Sequence, residues 1–583
     1  MTTTPMQLFA GPVVVDLDNG DLRCIRVGNT EIIRRVYMVF QDRNWTSRPW
    51  LLSAVEVDQA SDGFAVRFTA QGTFDARAFT WACAIEGAFD GSITYSVTGD
   101  TTEPFLRNRL GLCVLHPMAL AGAHVRIEHT SGDTEEARFP DAISPHQPFL
   151  DIRAMTHEIT PGFNVRLELS GEIFETEDHR NWSDASYKTY CTPIALPFPV
   201  TVVPSWRLEQ SARITFTGIP PATQSPDRPV EIEVFDAVAP LPRIGLQAND
   251  KQLTDAHLAA LRMLALDHLR ISIDASVNAK EMERHLRDAA FQAASLDCSL
   301  HVALFDADAE ALDLLARIDN ELGGIVARWF IFQSDELVTS RNWTDLARTA
   351  FGAAACIGGG TNLYFTELNR QPPDTSDLDV VGFSMNPQVH SFDDRTIIQN
   401  SATAMVIARD APRLVGTSWI SVAPITLRPR FNPNETDLTS DLNNDQLPAS
   451  DDYRQPTWFA AVWAALSIGS IAGPGTIDSV TYFETIGPRG VIDALSAKPY
   501  PVHALFAALA GYHLIRLCTS SNPETCDALI LVNESGSRLI VINTSALEHV
   551  VHLHGFLDER ITAAPRGLTI IDRPEGSHDH SAL

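Results

Sequence analysis

The amino-acid sequence predicts a (β/α)₈ barrel placed between two domains built from β-strands. Short β-branched runs fill residues 1–240, apolar runs alternate with amphipathic segments over 241–515, and strand-like runs return over 516–583. Alternating strands and helices are typical of parallel sheets, whereas closely spaced short strands are typical of antiparallel sandwiches. We therefore expect an N-terminal antiparallel β-sandwich, a central (β/α)₈ TIM-barrel domain and a small C-terminal β-domain with a frayed tail, with those ranges as their limits.

The N-terminal prediction depends on strand-like runs that turn residues interrupt. Val13–Leu17 precedes Asn19-Gly20, and Leu22–Val27 precedes Gly28-Asn29. Such Asn-Gly and Gly-Asn pairs are turn signals. The proline-rich segment 239–242 then indicates the boundary with the barrel.

The barrel prediction depends on eight apolar runs separated by helical patterns over about 260 residues, which fits a closed barrel. Asn278 with Glu281 resembles a capping box, and Asp308 caps another helix that Gly323 ends. The triplet Gly358–Gly360 precedes an aromatic run and is interpreted as a turn. The strands are expected near 243–248, 269–274, 299–305, 328–333, 361–366, 379–384, 413–418 and 479–484.

Composition excludes several classes of function. A net charge of −29 argues against nucleic-acid binding, because a polyanionic partner requires clustered Lys and Arg. The N-terminus lacks a signal-peptide pattern, and no run approaches the roughly 20 apolar residues of a membrane span. The eight cysteines are scattered, without a CxxC pair, and we expect reduced thiols in a cytoplasmic protein. The oligomeric state is left open.

Candidate functional residues follow from the rule that barrel active sites lie at the carboxyl ends of the strands. The predicted catalytic residues are Glu336, Glu367, Glu484 and His390. The predicted substrate-binding residues are Asn249, Asp250, Asp274, Asp335, Asn386, Trp419, Arg428, Arg430 and Tyr482.

Three of these carboxylates, Glu336, Glu367 and Glu484, would converge at one rim of the barrel. Crowding of like charges raises at least one pKa, which makes a carboxyl group useful as an acid or base near neutral pH. Each acid taken singly could instead cap a helix. His390 follows Asn386-Pro387, a break that would hold a turn at the barrel mouth. No HExxH motif occurs, so no metal or other cofactor is expected, although acids and histidines from different strands could still assemble a metal site.

Two kinds of hydrolysis fit these residues. A retaining glycosidase needs two carboxyls about 5 Å apart, and the predicted seventh strand ends without an acid. Hydrolysis of an ester or lactone needs one base to activate water and one group to stabilise the oxyanion. The residues favour the second chemistry.

Several long segments resemble one known family. They are Ile32–Tyr37, Asp42–Trp45, Arg107–Pro117, Ile143–Phe149, Glu177–Tyr190, Thr426–Pro433 and Ser479–Val491. Together they resemble the D-apionate lactonase family over nearly the whole chain. The resemblance implies a glycosidase-like architecture and hydrolysis of D-apionolactone to its open acid within apiose catabolism. It assigns no catalytic residue.

Three hypotheses follow. The first is a lactonase in which Glu367 or Glu484 activates water and His390, Asn386 or an arginine stabilises the carbonyl oxygen. The second is a glycoside hydrolase that uses Glu336 with one of the other two glutamates, and the third is a non-catalytic carbohydrate-binding protein.

Two segments keep alternative interpretations. The 177–190 segment either contacts substrate or forms an interdomain network of ion pairs, and the 423–455 loop is either a lid or a surface insertion. Two arginines on that loop, Arg428 and Arg430, also have two interpretations. They either recognise the substrate or form ion pairs with acids such as Glu435 and Asp437.

Overall fold

The computed structural model describes residues 5–73, 76–220, 228–416, 418–430, 450–555 and 559–574. The chain divides into two compact units. The first contains most of residues 5–220. The second contains Asn181–Asp184 together with the described residues from 228 onward.

The first unit is an antiparallel β-sandwich. Its main sheet begins with Met6–Ala10 and ends with Leu51–Gln59, and the Phe9 amide donates to Gln59 Oε1 at 2.9 Å, so the sheet folds back on itself around one apolar core. The strands are Met6–Ala10, Val13–Asp18, Asp21–Val27, Thr30–Gln41, Leu51–Gln59, Phe64–Gln71, Phe79–Gly87, Ile93–Thr101, Phe105–Arg107, Arg109–Pro117, His124–His129, Thr134–Arg138, Phe149–Thr160, Phe163–Ser170, Phe174–Asp178, Ser186–Tyr190, Val200–Val202 and Arg207–Gly218.

The second unit contains a closed barrel of eight parallel strands. The first strand pairs with the second through Gly245 and His268 and with the eighth through Arg243 and Ser479, which closes the ring. A short strand, Gly490–Ile492, extends the sheet beyond the eighth. The barrel strands are β1 (Arg243–Gln247), β2 (His268–Asp274), β3 (Ser299–Phe305), β4 (Val326–Phe332), β5 (Ile357–Gly360), β6 (Val380–Met385), β7 (Trp419–Ile425) and β8 (Ser479–Ile486).

Helices follow most barrel strands. Two predicted N-caps are present: Asn278 Oδ1 accepts from the Glu281 amide at 3.1 Å, and Asp308 Oδ1 accepts from the Ala311 amide at 2.9 Å. The helices are Asp255–Arg262, Ala279–Ser295, Ala309–Glu321, Arg341–Phe351, Phe365–Arg370, Asp394–Asn400, Thr403–Asp410, Pro412–Val415, Trp458–Ala472 and Pro501–Leu509. None in the described ranges is long and apolar enough to cross a membrane.

The prediction of β5 near 361–366 is wrong. The strand is the glycine run Ile357–Gly360, and Phe365–Arg370 is a helix. A Cβ on Gly358 would lie 2.7 Å from the ring of Phe330, which fills the barrel interior. Glycine is therefore required where the aromatic ring takes the space, and this strand has no hydrophobic periodicity to detect.

The prediction of β7 near 413–418 is also wrong. Pro412–Val415 is a short helix, and the strand is Trp419–Ile425. Pro424 lies inside it, where the register with both neighbouring strands shifts. Proline cannot donate to a strand ladder and normally marks a strand's end, but a register irregularity accommodates it.

A seven-stranded sheet completes the second unit. Val230–Pro240 lies within it, parallel to His549–His554 and antiparallel to Leu514–Ser520. This strand precedes residue 240, the limit predicted for the N-terminal domain, yet it pairs with strands from the end of the chain. The sheet order is Glu559–Ala563, His549–His554, Val230–Pro240, Leu514–Ser520, Cys526–Asn533, Gly536–Asn543 and Gly567–Pro574.

Candidate active site

A cavity opens at the carboxyl ends of β5, β6 and β7. Arg430 Nη2 donates to the backbone and side-chain oxygens of Asn362 at 2.9 and 3.0 Å. Burial raises the pKa of Tyr364, and a hydrogen bond with the Asn386 side chain opposes part of that rise. The cavity is lined by Asn362, Leu363, Tyr364, Ser384, Met385, Asn386, Thr426 and Arg430.

Two arginines bring positive charge to this end of the barrel. Burial lowers the pKa of Arg430 to about 10. Arg270, on β2, is fully buried and donates to Gln247 Oε1 at 3.0 Å. Burial, with the charge of Arg430 as a second cause, lowers the pKa of Arg270 to about 9. Both guanidinium groups stay protonated at neutral pH and can stabilise an anion.

Glu367 lies in the helix that follows β5, beside the cavity residue Tyr364. Its Oε2 accepts a hydrogen bond from the Tyr364 amide at 3.0 Å. Burial raises the pKa of Glu367 to about 7, although this bond and one from its own amide favour the ionised form. A carboxyl group with a pKa near the working pH can accept and return a proton.

Glu484, on β8, is held by two donors. Asn249 Nδ2 donates to Oε2 at 2.8 Å, and Arg489 Nε donates to Oε1 at 2.7 Å. Arg489 also contacts Asp451 Oδ1 at 3.1 Å. These hydrogen bonds fix the position of the Glu484 carboxylate at the end of β8.

His390, on the loop after β6, forms a dyad with Asp184. Nδ1 lies 2.7 Å from Asp184 Oδ2, and Asn400 Nδ2 donates to the other carboxylate oxygen at 3.2 Å. The Trp182 ring contacts the imidazole edge-on at a centroid distance of 5.7 Å. The carboxylate thus fixes the orientation of the imidazole.

Two predicted substrate-binding residues lie elsewhere. Trp419 is the first residue of β7, so it lies at the amino end of the barrel strands. Its ring is half-exposed, and the guanidinium of Arg328 lies over it. Tyr482 is fully buried and shares a hydrogen bond of 2.8 Å with Ser467 on the outer helix Trp458–Ala472. Its side chain points outward because neighbouring strand residues alternate between the interior and the helices.

Other predicted residues lie at the carboxyl ends of the strands, but two of them form hydrogen bonds with residues close by in the chain. Both carboxylate oxygens of Glu336 accept from Ser340, the residue that precedes the helix Arg341–Phe351. Asp274 accepts the Ser276 amide at 2.8 Å. Asp250 and Asp335 are exposed.

Arg428 pairs with an acid that the sequence analysis did not name: its Nε donates to Asp452 Oδ2 at 3.2 Å. Glu435 and Asp437, the acids named as its partners, lie outside the described residues.

Sequence reasoning missed several residues of the site. The expectation of β5 near 361–366 puts Asn362 and Tyr364 inside a strand, whereas the strand ends at Gly360 and both residues follow it. Arg270 carried a usable signal, since a charged residue inside an apolar strand indicates an inward position. Asp184 reaches His390 from about 200 residues away, a pairing that no local pattern contains.

The fold and these groups define a (β/α)₈-barrel protein with titratable side chains at the carboxyl ends of its strands. The chain matches the family model for the N-terminal domain of D-apionate lactonase over residues 1–219 and the model for its TIM-barrel domain over 243–513. It is 32% identical over 511 residues to a D-apionate lactonase of Brucella anthropi, covering 84% of this chain and 83% of the relative. The chain belongs to the D-apionate lactonase family.

Solved structures give a more distant likeness. A family 30 endoxylanase from Clostridium papyrosolvens is 10% identical, with a TM-score of 0.39 over 60% of this chain and 97% of its own. A β-arabinopyranosidase is 8% identical, with a TM-score of 0.31 over 97% of this chain and 98% of its own. Likenesses at this level say nothing about activity.

Proposed function

We propose that this chain hydrolyses a sugar lactone, D-apionolactone, to D-apionate. The observation that carries the proposal is the family membership, which extends over the β-sandwich and the barrel. The partly buried carboxyl of Glu367 at the barrel mouth, whose pKa desolvation raises to about 7, supplies a group suited to the reaction.

In the proposed reaction, Glu367 acts as the general base. A water oxygen adds to the lactone carbonyl carbon while Glu367 accepts a water proton. The bond between this carbon and the ring oxygen then breaks, and Glu367 returns the proton to the departing alkoxide. The product carboxylic acid loses its proton to solvent, and Glu367 is regenerated as a carboxylate.

Charge that develops on the carbonyl oxygen needs a positive or hydrogen-bonding partner. Arg430 and the amide of Asn386 line a cavity together with Tyr364, the residue whose amide contacts Glu367, and buried Arg270 adds a second positive charge. Preorganised donors in a partly dehydrated site stabilise a developing oxyanion more strongly than water does. We assign this role to Arg430 and Asn386.

The remaining two groups receive different roles. Glu484 already accepts from Asn249 and Arg489, so it suits binding of substrate hydroxyls better than proton transfer. We assign His390, oriented by Asp184, to the substrate's polar groups.

The glycosidase mechanism has less support. Both oxygens of Glu336 are engaged by Ser340, and residues 426–430, directly after β7, contain no acid. Further along the same loop, Asp451 accepts from Arg489 and Asp452 accepts from Arg454. These carboxyl groups after β4 and β7 are therefore already engaged in local hydrogen bonds, which disfavours their use as a catalytic pair.

We further propose a cytoplasmic location, because all eight cysteines are free and a reducing compartment maintains thiols. Cell fractionation that recovers the protein mainly outside the cytoplasm would contradict this proposal.

The function is tested by hydrolysis of D-apionolactone, followed as acid release in a pH-stat with spontaneous hydrolysis subtracted. We expect turnover of the lactone and none of aryl glycosides. Glu367→Gln should lower kcat by about tenfold to a thousandfold, as expected for loss of a general base. Glu336→Gln, a matched change at the end of β4, should retain wild-type turnover.

Three results would contradict parts of this proposal. Binding without turnover would indicate a carbohydrate-binding protein, and aryl-glycoside cleavage that Glu336→Gln abolishes would indicate a glycosidase. Near-normal turnover in both Glu367→Gln and Glu484→Gln would refute the site assignment while leaving the activity in place.

A further inference from the structure

Two histidines and a glutamate meet on the seven-stranded sheet, outside the barrel. His552 and His554 lie on the strand His549–His554, and Glu231 lies on the parallel neighbour Val230–Pro240. Alternate residues of a strand point to the same face, so the His-Leu-His sequence places both imidazoles on one side. The H-x-H spacing at 552–554 is visible in the sequence, although the absence of an HExxH motif predicts no metal site.

The register brings the carboxylate between the two rings. Glu231 is the direct partner of His552 across the two strands. Its Oε2 lies 3.3 Å from His552 Nδ1 and is in contact with His554 Nε2. The two imidazole centroids are 4.1 Å apart, and the three ligand atoms all lie within 4.8 Å of one another.

We propose that Glu231, His552 and His554 form a binding site for a transition-metal ion, with Zn²⁺ as the ion they suit best. Two ligand atoms bound to zinc at about 2.1 Å and at a tetrahedral angle lie about 3.4 Å apart. The separation of 3.3 Å between Glu231 Oε2 and His552 Nδ1 is close to that value. Two imidazoles with one carboxylate are a donor set that zinc accepts, with water completing the coordination.

Such an ion would join two strands that are distant in sequence. Glu231 and His554 are more than 300 residues apart, and the barrel lies between them in the chain. A ligand that binds only the folded arrangement stabilises it by mass action. The proposed role is therefore structural, and it does not depend on the hydrolytic reaction.

The barrel contains another histidine pair that does not support the same inference. His268 shares hydrogen bonds with Asp267 through Nδ1 and with Thr481 through Nε2. His301 stacks on it at 3.8 Å, and burial lowers its pKa well below the usual range, with the neighbouring charge of Arg328 contributing. Both nitrogens of His268 are therefore already engaged, and the guanidinium of Arg328 places a positive charge near His301, which disfavours a metal cation here.

The test is equilibrium dialysis of untagged, chelator-treated protein against Zn²⁺ in a buffer above pH 7. The C-terminal sequence His578-Asp-His580 lies outside the described residues and could itself chelate zinc, so every variant carries His578→Ala and His580→Ala. The protein that carries only these two tail substitutions, the background protein, should bind about one zinc ion per chain. His552→Ala and His554→Ala should each weaken binding at least tenfold, and Glu231→Gln should weaken it as well.

His549→Ala is the matched control, because it removes a histidine from the same strand and leaves the three ligands in place. Zinc should raise the midpoint of thermal unfolding for the background protein and for His549→Ala, but not for His552→Ala. Co²⁺ should give a visible absorption band that His552→Ala and His554→Ala lack. The proposal is overturned if the background protein binds no zinc, or if both histidine variants bind it as tightly as the control.

Discussion

At the scale of single residues, Glu367 links stability to activity. Its pKa is raised to about 7 because the carboxyl is buried. Burial favours the protonated form, while the proposed reaction uses the ionised form. The folded state therefore binds this proton more tightly than the unfolded chain does, and the associated stability is lost as the pH rises through about 7.

This gives a prediction with a defined sign. The kcat/KM of the wild-type enzyme should fall as the pH decreases below about 7, because the base becomes protonated. Residual activity of Glu367→Gln should lack this pH limb. Thermal unfolding should show the variant gaining stability relative to wild type between pH 5 and pH 8, since the glutamine is never charged. A limb near pH 7 that persists in the variant would assign the titration to another group.

A second residue-scale prediction concerns the dyad. Asp184→Asn removes the carboxylate that orients His390 and should raise KM about tenfold or more while kcat changes little, because His390 is assigned to substrate binding. Steady-state kinetics on the lactone measure the split between kcat and KM. Asp274→Asn is the matched control at the end of β2, where the carboxylate accepts a local backbone amide, and it should retain the wild-type KM. Equal increases of KM in both variants would exclude a specific role for the dyad.

At the scale of elements, the glycine strand β5 determines which residues reach the cavity. The strand ends at Gly360, so Asn362 and Tyr364 follow it directly and line the cavity. Phe330 occupies the space that side chains on β5 would fill, and a Cβ added to Gly382 on β6 would lie 3.1 Å from the same ring. One large residue among small ones keeps the interior filled.

We therefore expect Gly358→Ala to destabilise the protein by about 1–3 kcal/mol or more, because the added methyl overlaps the Phe330 ring and Val380. Denaturant unfolding monitored by circular dichroism measures the change. Gly469→Ala is the control: it lies in the helix Trp458–Ala472, and its added Cβ meets only Leu529 at 3.9 Å. That substitution should be neutral or stabilising by up to about 1 kcal/mol. Similar losses in both variants would contradict the packing explanation.

At the scale of the whole molecule, the sequence predicts the class of each part of the chain. The β-sandwich, the eight-stranded barrel and the C-terminal strands are confirmed, because periodicity and turn residues carry that information locally. The positions of β5 and β7 could not be predicted, since a run of glycines and a strand that contains Pro424 both lack the usual pattern.

The candidate site was predictable only where strand ends were placed correctly. Asn249 and Glu484 were both proposed, and they are hydrogen-bonded to each other. Trp419 and Tyr482 were misplaced by errors of strand limit and side-chain direction. The partner of His390 depends on the tertiary fold, which local sequence patterns do not contain.

The position of Val230–Pro240 has a practical consequence for dissecting this chain. The strand comes before the barrel in sequence but inserts between strands that come after it, with Leu514–Ser520 on one side and His549–His554 on the other. A fragment that ends near residue 513 would leave this strand without either neighbour and would expose Ile232 and Val234, which are buried in the intact sheet. Expression designs that isolate the barrel should therefore begin before residue 230 and keep the C-terminal strands.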